Sequence, residues 1–440
     1  MKIAGIIVEY NPFHNGHKLH IEETRKITGA DYIIAIMSGN FVQRGEPAII
    51  DKYCRCEMAL LNGVDLVIEL PTIYATASAE YFAFGAVSLL NSLNIVDFIC
   101  FGSEIGDCKL LDYTADILST NNDAYQKMLN TFIKQGNSYP KARELALTSY
   151  LKSINSPYLK DVKKLIASPN NILGIEYIKA LKKLNSTIKP VTITRTDSGY
   201  NAVELDLSSN FSSASSIRNT LTNNGTSNTT NSKSTTKYIK QIKAYIPSNC
   251  YKIFIKNYNV TFPITYDDFS ILAYYKLLNN NTTDLNTYVD IDTVIANKLL
   301  NNFTSSKNIT TLLNNSKSKD VTYTRLSRAL LNIILNNKKD TFNRYLLKGS
   351  TYARILGFKS SSSNLIKTLK KSSSIPLINK LSLGIKSLSD DDKAILEMDI
   401  KSSELYNKIV YTKFKTQNTN EYKKGVIIDL EEVMRQKEMQ

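Results

Sequence analysis

The 440-residue sequence has no tryptophan, only three histidines and five cysteines, and just 17 glycines and 10 prolines. So little glycine and proline excludes a collagen-like or low-complexity chain. No run approaches the ~20 apolar residues that cross a bilayer. The opening Met1–Val8 segment is too short for a secretion signal and is interrupted at Glu9. An odd cysteine count in a large chain without such a signal points to reduced thiols and a cytoplasmic protein. Cys54 and Cys56 form a lone C-x-C, whereas a structural zinc needs about four ligands; no metal site is expected. With 42% hydrophobic and 22% charged residues the composition is that of a globular protein. At roughly 150 residues per domain, two or three domains are expected.

Acidic residues are scarce in one half only. The chain carries 55 Lys and Arg against 40 Asp and Glu, a net charge of +15. Residues 1–237 are close to neutral at +2, whereas residues 238–440 carry +13; within them, residues 298–380 hold 16 basic and 2 acidic side chains. Such a window is the footprint expected of a polyanion-binding surface, although a lysine-rich solvated face reads the same way.

The first ~105 residues alternate strand and helix. Apolar strands at 2–9, 31–37, 65–70 and 97–101 are separated by helical stretches at 17–29, 51–62 and 78–93. Near-continuous apolar strands linked by helices predict an α/β, Rossmann-like parallel sheet. Residues 108–186 read as mainly helical, 191–195 as a further strand, and 212–221 as a short helix opened by serines. Residues 222–237 (TNNGTSNTTNSKSTTK) contain no aliphatic or aromatic side chain and read as a polar linker or loop. They divide an expected catalytic domain, 1–221, from a basic, mostly helical domain, 238–440. In the latter, 267–279, 294–303, 323–337, 341–347 and 361–371 show helical periodicity, while KIVYTKFK (408–415) and GVIIDL (425–430) read as extended.

All three histidines, His14, His17 and His20, lie within seven residues just after the first strand. The strand runs through Glu9-Tyr10-Asn11-Pro12-Phe13-His14-Asn15-Gly16 into a helix beginning near His17. A helix N-terminus is an anion site, because its free N–H groups and dipole favour negative charge. Gly16 lets a phosphate approach the backbone. Imidazole donors placed there stabilise charge that builds on phosphoryl oxygens as pyrophosphate leaves, which makes His14 and His17 the candidate catalytic residues. Late in the first half, Ser212-Ser213-Ala214-Ser215-Ser216-Ile217-Arg218 offers a second phosphate site. There Ser215 and Ser216 are hydroxyl donors, and Arg218 neutralises the leaving pyrophosphate. Arg44 follows the second strand in a turn-rich loop and faces either phosphate or RNA. The same loop and helix start carry Asp51, Lys52 and Arg55, on the ligand side of such a sheet.

The H-x-G-H pattern and the serine-rich turn resemble the nucleotidyltransferase superfamily, which includes adenylyltransferases and class I aminoacyl-tRNA synthetases. More specifically, GIIVEYNPFHNGH (5–17) resembles the bacterial tRNA(Met) cytidine acetate ligase family. So do MSGNFVQRGEPAIIDKYCRCEMAL (37–60), DLVIELP (65–71), SAEYFAFGAV (78–87), FGSE (101–104), SPNNILGIEY (168–177) and RTDSGYN (195–201). YTRLSRALLNIIL and YARILGF match more loosely, and 222–237 does not match. The resemblance implies a two-step ligase. Acetate and ATP, with Mg²⁺ on the polyphosphate, give acetyl-adenylate and pyrophosphate; the acetyl group then passes to N4 of the wobble cytidine of elongator tRNA(Met). It implies ATP contacts from Ile7, Val8, Glu9, Tyr10, Asn11, Pro12, Phe13, His14, Asn15, Gly16, His17, Lys18, Leu19 and His20. Further contacts fall on Gly102, where the missing Cβ would admit the adenosine, and on Asn170 (with Asn171 its close competitor) and Arg195.

The basic half then has the task of holding tRNA by its backbone, with Arg325, Arg328, Arg344 and Arg354 as candidates. Tyr323, Tyr345 and Tyr352 are interleaved stacking candidates. No membrane or obligate protein partner is expected. A small-molecule adenylyltransferase of the same superfamily and a non-catalytic RNA-binding protein with a nucleotide pocket remain the alternatives. The first does not explain the long basic extension.

Overall fold

A computed structural model of the chain describes residues 1–119, 122–195, 211–222 and 238–429. The linker at 222–237, apart from Thr222, and the RTDSGYN segment beyond Arg195 lie outside the described residues.

The elements that build the site come first in the chain. They are β1 (Ile3–Val8), α1 (Asn15–Thr28), β2 (Tyr32–Ser38), the two-residue strands β3 (Phe41–Val42) and β4 (Glu46–Pro47), α2 (Lys52–Leu61), β5 (Leu66–Leu70), α3 (Thr72–Ala75), α4 (Ala79–Ser92) and β6 (Phe98–Ser103). β7 (Lys189–Thr194) follows after a helical stretch, then β8 (Ala353–Lys359), β9 (Leu377–Ile378) and β10 (Ile427–Asp429). The local reasons are visible. Asp51 caps α2 by accepting from the N–H groups of Tyr53 and Cys54, and α1 ends at Gly29 in the left-handed region. β1, β2 and β5 are almost wholly buried Ile, Val, Leu and Ala, as strands covered on both faces must be.

The sheet order is β10-β8-β5-β2-β1-β6-β7, with β9 on β8. Every pairing is parallel except β5 with β8. The chain runs outward from β1 through β2 to β5, then crosses to β6 and β7 on the other side. The point at which the order reverses lies between the C-terminal ends of β1 and β6, where open α/β sheets bind ligands.

The second half of the chain is mainly helical, and it also contributes to the N-terminal sheet. Its β8, β9 and β10 extend the N-terminal sheet. Ile239, Ile242, Cys250 and Phe254 join the core formed by Ile6, Ile33, Met58 and Leu60 on one sheet face. The helices between about 264 and 335, joined by Tyr406, Ile409 and Val410 and by Phe41 of β3, form a further core. KIVYTKFK is not extended; it ends the 25-residue helix Asp390–Phe414.

A buried ion cluster ties the halves together. Lys52 Nζ donates to Glu69 Oε1 (2.8 Å) and Ser403 Oγ (2.8 Å) and lies 3.2 Å from Glu421. Arg354 pairs with Glu69 (3.1 Å) and Glu421. Each of these charges is nearly inaccessible to water, so each depends on its partners to offset its desolvation.

Candidate active site

A cleft of about 290 Å³ opens at the β1–β6 reversal. Its floor is the loop between β1 and α1. Tyr10 sits there at φ 51, a left-handed conformation that a bulky side chain adopts only when packing enforces it. That packing is present: the fully buried ring meets Phe13 at 4.7 Å and His17 at 4.8 Å.

His14 and His17 organise the helix start. His14 is the N-cap, its Nδ1 accepting the Gly16 N–H at 3.1 Å, while His17 Nδ1 accepts the His14 N–H at 3.3 Å. This is a capping box built from two imidazoles. Because both Nδ1 atoms accept backbone protons, the proton of each neutral ring is on Nε2. The rings stack, with centroids 3.7 Å apart. Burial holds His14 down to about 3, helped by Arg195 and Arg218. Burial, His14 and Arg195 lower His17 as well, and burial and Arg195 hold His20 at about 4. At neutral pH the site therefore presents uncharged Nε2–H donors, with cationic charge supplied by arginines. The His20 Nε2 is buried with no partner among the described residues.

Arg218 joins the two sequence motifs. It donates to the Asn11 carbonyl (2.7 Å) and to Ser215 Oγ (3.1 Å), and it lines the cleft with Ser213, Ala214 and Ser215 at the start of the helix Ala214–Thr222. Ser216 corrects the expectation. It is wholly buried, its Oγ bonded to Ser212 Oγ (2.6 Å) and the Ser213 carbonyl (2.8 Å), so it braces the turn and does not face phosphate.

Of the loop residues, Ile7, Val8, Glu9, Tyr10, Asn11, His14, Gly16, His17, Leu19 and His20 line the cleft. The others do not. Pro12 and Phe13 are buried beneath it, Asn15 donates to the Ala244 carbonyl, and exposed Lys18 lies 3.8 Å from Glu22. Gly102 lines the opposite wall. A Cβ there would lie 3.0 Å from Cγ and Cδ of Arg195, so the space it leaves holds the arginine stem, not an open slot. Asn170 lines the cleft, oriented by its bond to Glu104 Oε1 (2.7 Å). Asn171 is buried and shapes the loop after β6 by accepting from Ser103 Oγ and the Glu104 N–H.

Arg44 lines the cleft, but Asp51, Lys52 and Arg55 do not. Arg55 is fully buried and donates to the carbonyls of Glu9, Ser38, Gly39 and Ile50, fixing the ends of β1 and β2. Sequence reasoning named none of Glu46, Phe82, Leu173 and Tyr177 as site residues; all four are on the cleft wall, and each falls in a segment that resembles the family. Among the described residues no group of three or more His, Cys, Asp or Glu side chains is placed to hold a metal ion.

The expected RNA-facing residues divide. Arg344 is exposed. Arg325 and Arg328 pair with Asp292 and Asp290, each at 2.9 Å. Arg354 is buried in the ion cluster, and Tyr345 and Tyr352 are buried, so none of these three presents itself to a nucleic acid.

The chain matches the HIGH Nucleotidyl Transferase family over residues 1–422. It is 40% identical over 413 residues to the tRNA(Met) cytidine acetate ligase of Acetivibrio thermocellus, covering 92% of this chain and 94% of the relative. It is 43% identical over 412 residues to the enzyme of that name from Clostridium perfringens, covering 92% and 95%. The structure superimposes on Thermotoga maritima TmcAL bound with alpha-thio ATP with a TM-score of 0.87, at 30% identity over 97% of this chain and 99% of that one. Against the apo form the TM-score is 0.90 at the same identity and coverage. With both signature motifs meeting across one cleft, the chain belongs to the tRNA(Met) cytidine acetate ligase family of HIGH nucleotidyl transferases.

Proposed function

We propose that this chain is an ATP-dependent tRNA(Met) cytidine acetate ligase that activates acetate as acetyl-adenylate, releases pyrophosphate, and acetylates N4 of the wobble cytidine of elongator tRNA(Met). The observation that carries the reading is the Arg218 bridge between the H-x-G-H loop and the serine-rich helix start, beside two imidazoles that spend Nδ1 on backbone N–H groups and whose Nε2 atoms have no backbone partner among the described residues. In this reading His14 and His17 donate to the phosphoryl oxygens while the acetate carboxylate attacks the α-phosphorus. Arg218, Arg195 and Ser215 take the pyrophosphate end, where charge accumulates. Asn170 and the Gly102 wall take the adenosine side. Mg²⁺ carried by the polyphosphate would neutralise part of its charge. Arg344, Arg325 and Arg328, with the surrounding lysines, contact the tRNA backbone, whose binding is salt-dependent for that reason.

The test is mass spectrometry of elongator tRNA(Met) transcript after incubation with the protein, ATP and labelled acetate. Labelled N4-acetylcytidine at the wobble position is expected, without acetyl-CoA. Unmodified tRNA in the presence of acetyl-adenylate would refute the acceptor.

A further inference from the structure

The turn between β3 and β4 stands where the cleft meets the C-terminal helices, and it is held on three sides. The Gln43 N–H donates to Glu9 Oε1 (2.9 Å), Gln43 Nε2 to the Ala77 carbonyl (3.3 Å), and Ser327 Oγ to the Gly45 carbonyl (2.9 Å). Gly45 has φ +79, and a Cβ on it would lie 2.5 Å from the backbone N and Cα of Arg328. The tip therefore seats against the helix Tyr323–Ile334 only as glycine. Glu46 follows at once. It pairs with Val42 across the ribbon, and both side chains line the cleft.

The groups around the Glu46 carboxylate come from every side. They are Arg218 from the serine-rich helix, Arg44 from its own turn, Glu9 from the end of β1, and Tyr266 and Tyr323 from the C-terminal helices. No described residue donates a hydrogen bond to it. Burial, with Glu9, makes it a stronger proton acceptor than a free glutamate, against the pull of Arg218 and Arg44. The second half-reaction needs such a group. The cytosine N4 lone pair is delocalised into the ring, and N4 gains positive charge as it bonds to the acetyl carbon. A carboxylate is also the side chain that accepts from the cytosine amine.

We propose that Glu46 is the general base of acetyl transfer, accepting a hydrogen bond from N4 of the target cytosine at the junction of the nucleotide cleft and the basic helices. The N4–C bond forms as the bond from the acetyl carbon to the adenylate oxygen breaks. AMP leaves as the phosphate anion, and the N4 proton passes to Glu46. Uridine offers an acceptor oxygen at this position and is repelled by the same carboxylate. The inference rests on the proposed ligase reading.

The experiment compares the two half-reactions. Enzyme loaded with acetyl-adenylate from ATP, acetate and pyrophosphatase is mixed with elongator tRNA(Met) transcript, and single-turnover N4-acetylcytidine formation is measured against pH, alongside acetate-dependent ATP–pyrophosphate exchange. Glu46→Gln is expected to slow transfer by about 10²-fold or more, far beyond its effect on exchange. Wild-type transfer should rise with pH to a plateau, the acid limb should vanish in Glu46→Gln, and Glu46→Asp should recover part of the rate. Transfer by Glu46→Gln at the wild-type rate, a parallel fall in exchange, or an unaltered pH profile would each overturn the assignment. If the wild-type protein forms acetyl-adenylate but leaves the transcript unmodified, the ligase reading itself fails.

Discussion

His14 and His17 each do two things, and substitutions can separate them. Through Nδ1 they cap α1, and through Nε2–H they face the cleft. Alanine at His14 removes both, costing about 1 kcal/mol for the lost cap in addition to the donor. Asparagine at His14 keeps a capping oxygen but cannot reach the Nε2 position. Loss of one oxyanion donor costs about 10²–10³ in rate, or about 2.7–4 kcal/mol. His14→Asn should therefore lower acetate-dependent ATP–pyrophosphate exchange about 10²–10³-fold with little change in urea midpoint. At His17, glutamine carries an oxygen that can accept the His14 N–H, as in an ordinary capping box, and an amide donor near the Nε2 position. His17→Gln should retain at least about tenfold more exchange activity than His17→Ala, whose full donor loss sets the lower limit. A stable His14→Asn protein with near-normal exchange, or His17→Gln no better than His17→Ala, would refute the Nε2–H assignment.

Three further outcomes are expected. Because burial holds His14 at about 3, the unfolded chain binds a proton there that the folded chain does not once the pH falls below about 6.5; the contribution is complete above 6.5 and is lost towards 3. Wild-type stability, compared with His14→Asn by urea titration, should fall by about 2 kcal/mol between pH 7.5 and 5, and a constant difference would contradict the burial. Arg354→Ala leaves Glu69 and Glu421 short of a buried cation and should cost about 3–5 kcal/mol in urea denaturation. A neutral effect would return Arg354 to the surface. Arg344→Ala, at an exposed position, should weaken tRNA binding similarly across tRNA sequences and reduce the log–log salt slope by about 0.7–0.9. Fluorescence titration over a salt series checks this, and an unchanged slope would remove Arg344 from the interface.

The N-terminal sheet and the H-x-G-H turn were legible because their signals are local: apolar strands, a capped helix, and three histidines gathered in one loop. The remainder depends on contacts between distant parts of the chain. β8 pairs with β5 across nearly three hundred residues, and no short-range pattern announces an antiparallel strand added to a parallel sheet. KIVYTKFK alternates β-branched and aromatic residues and reads as a strand. In the fold, Ile409 and Val410 pack into the helical core, and that tertiary contact overrides local preference. Lys52, Arg55 and Arg354 look like surface charges because their partners lie elsewhere in the sequence. Glu421, for instance, meets Lys52 from 369 positions away. Glu46 escaped notice for the same reason: its significance comes from Arg218, Glu9 and the seat of Gly45 on the Arg328 backbone, none of them its sequence neighbours except the glycine.

The central claim is that this cleft makes an acyl-adenylate from acetate. ATP–pyrophosphate exchange, with and without acetate and with no tRNA present, tests it most directly. Exchange that requires acetate and is lost in His14→Asn is the expected result. Exchange independent of acetate, or none with or without added tRNA in a protein that binds ATP, would contradict the claim.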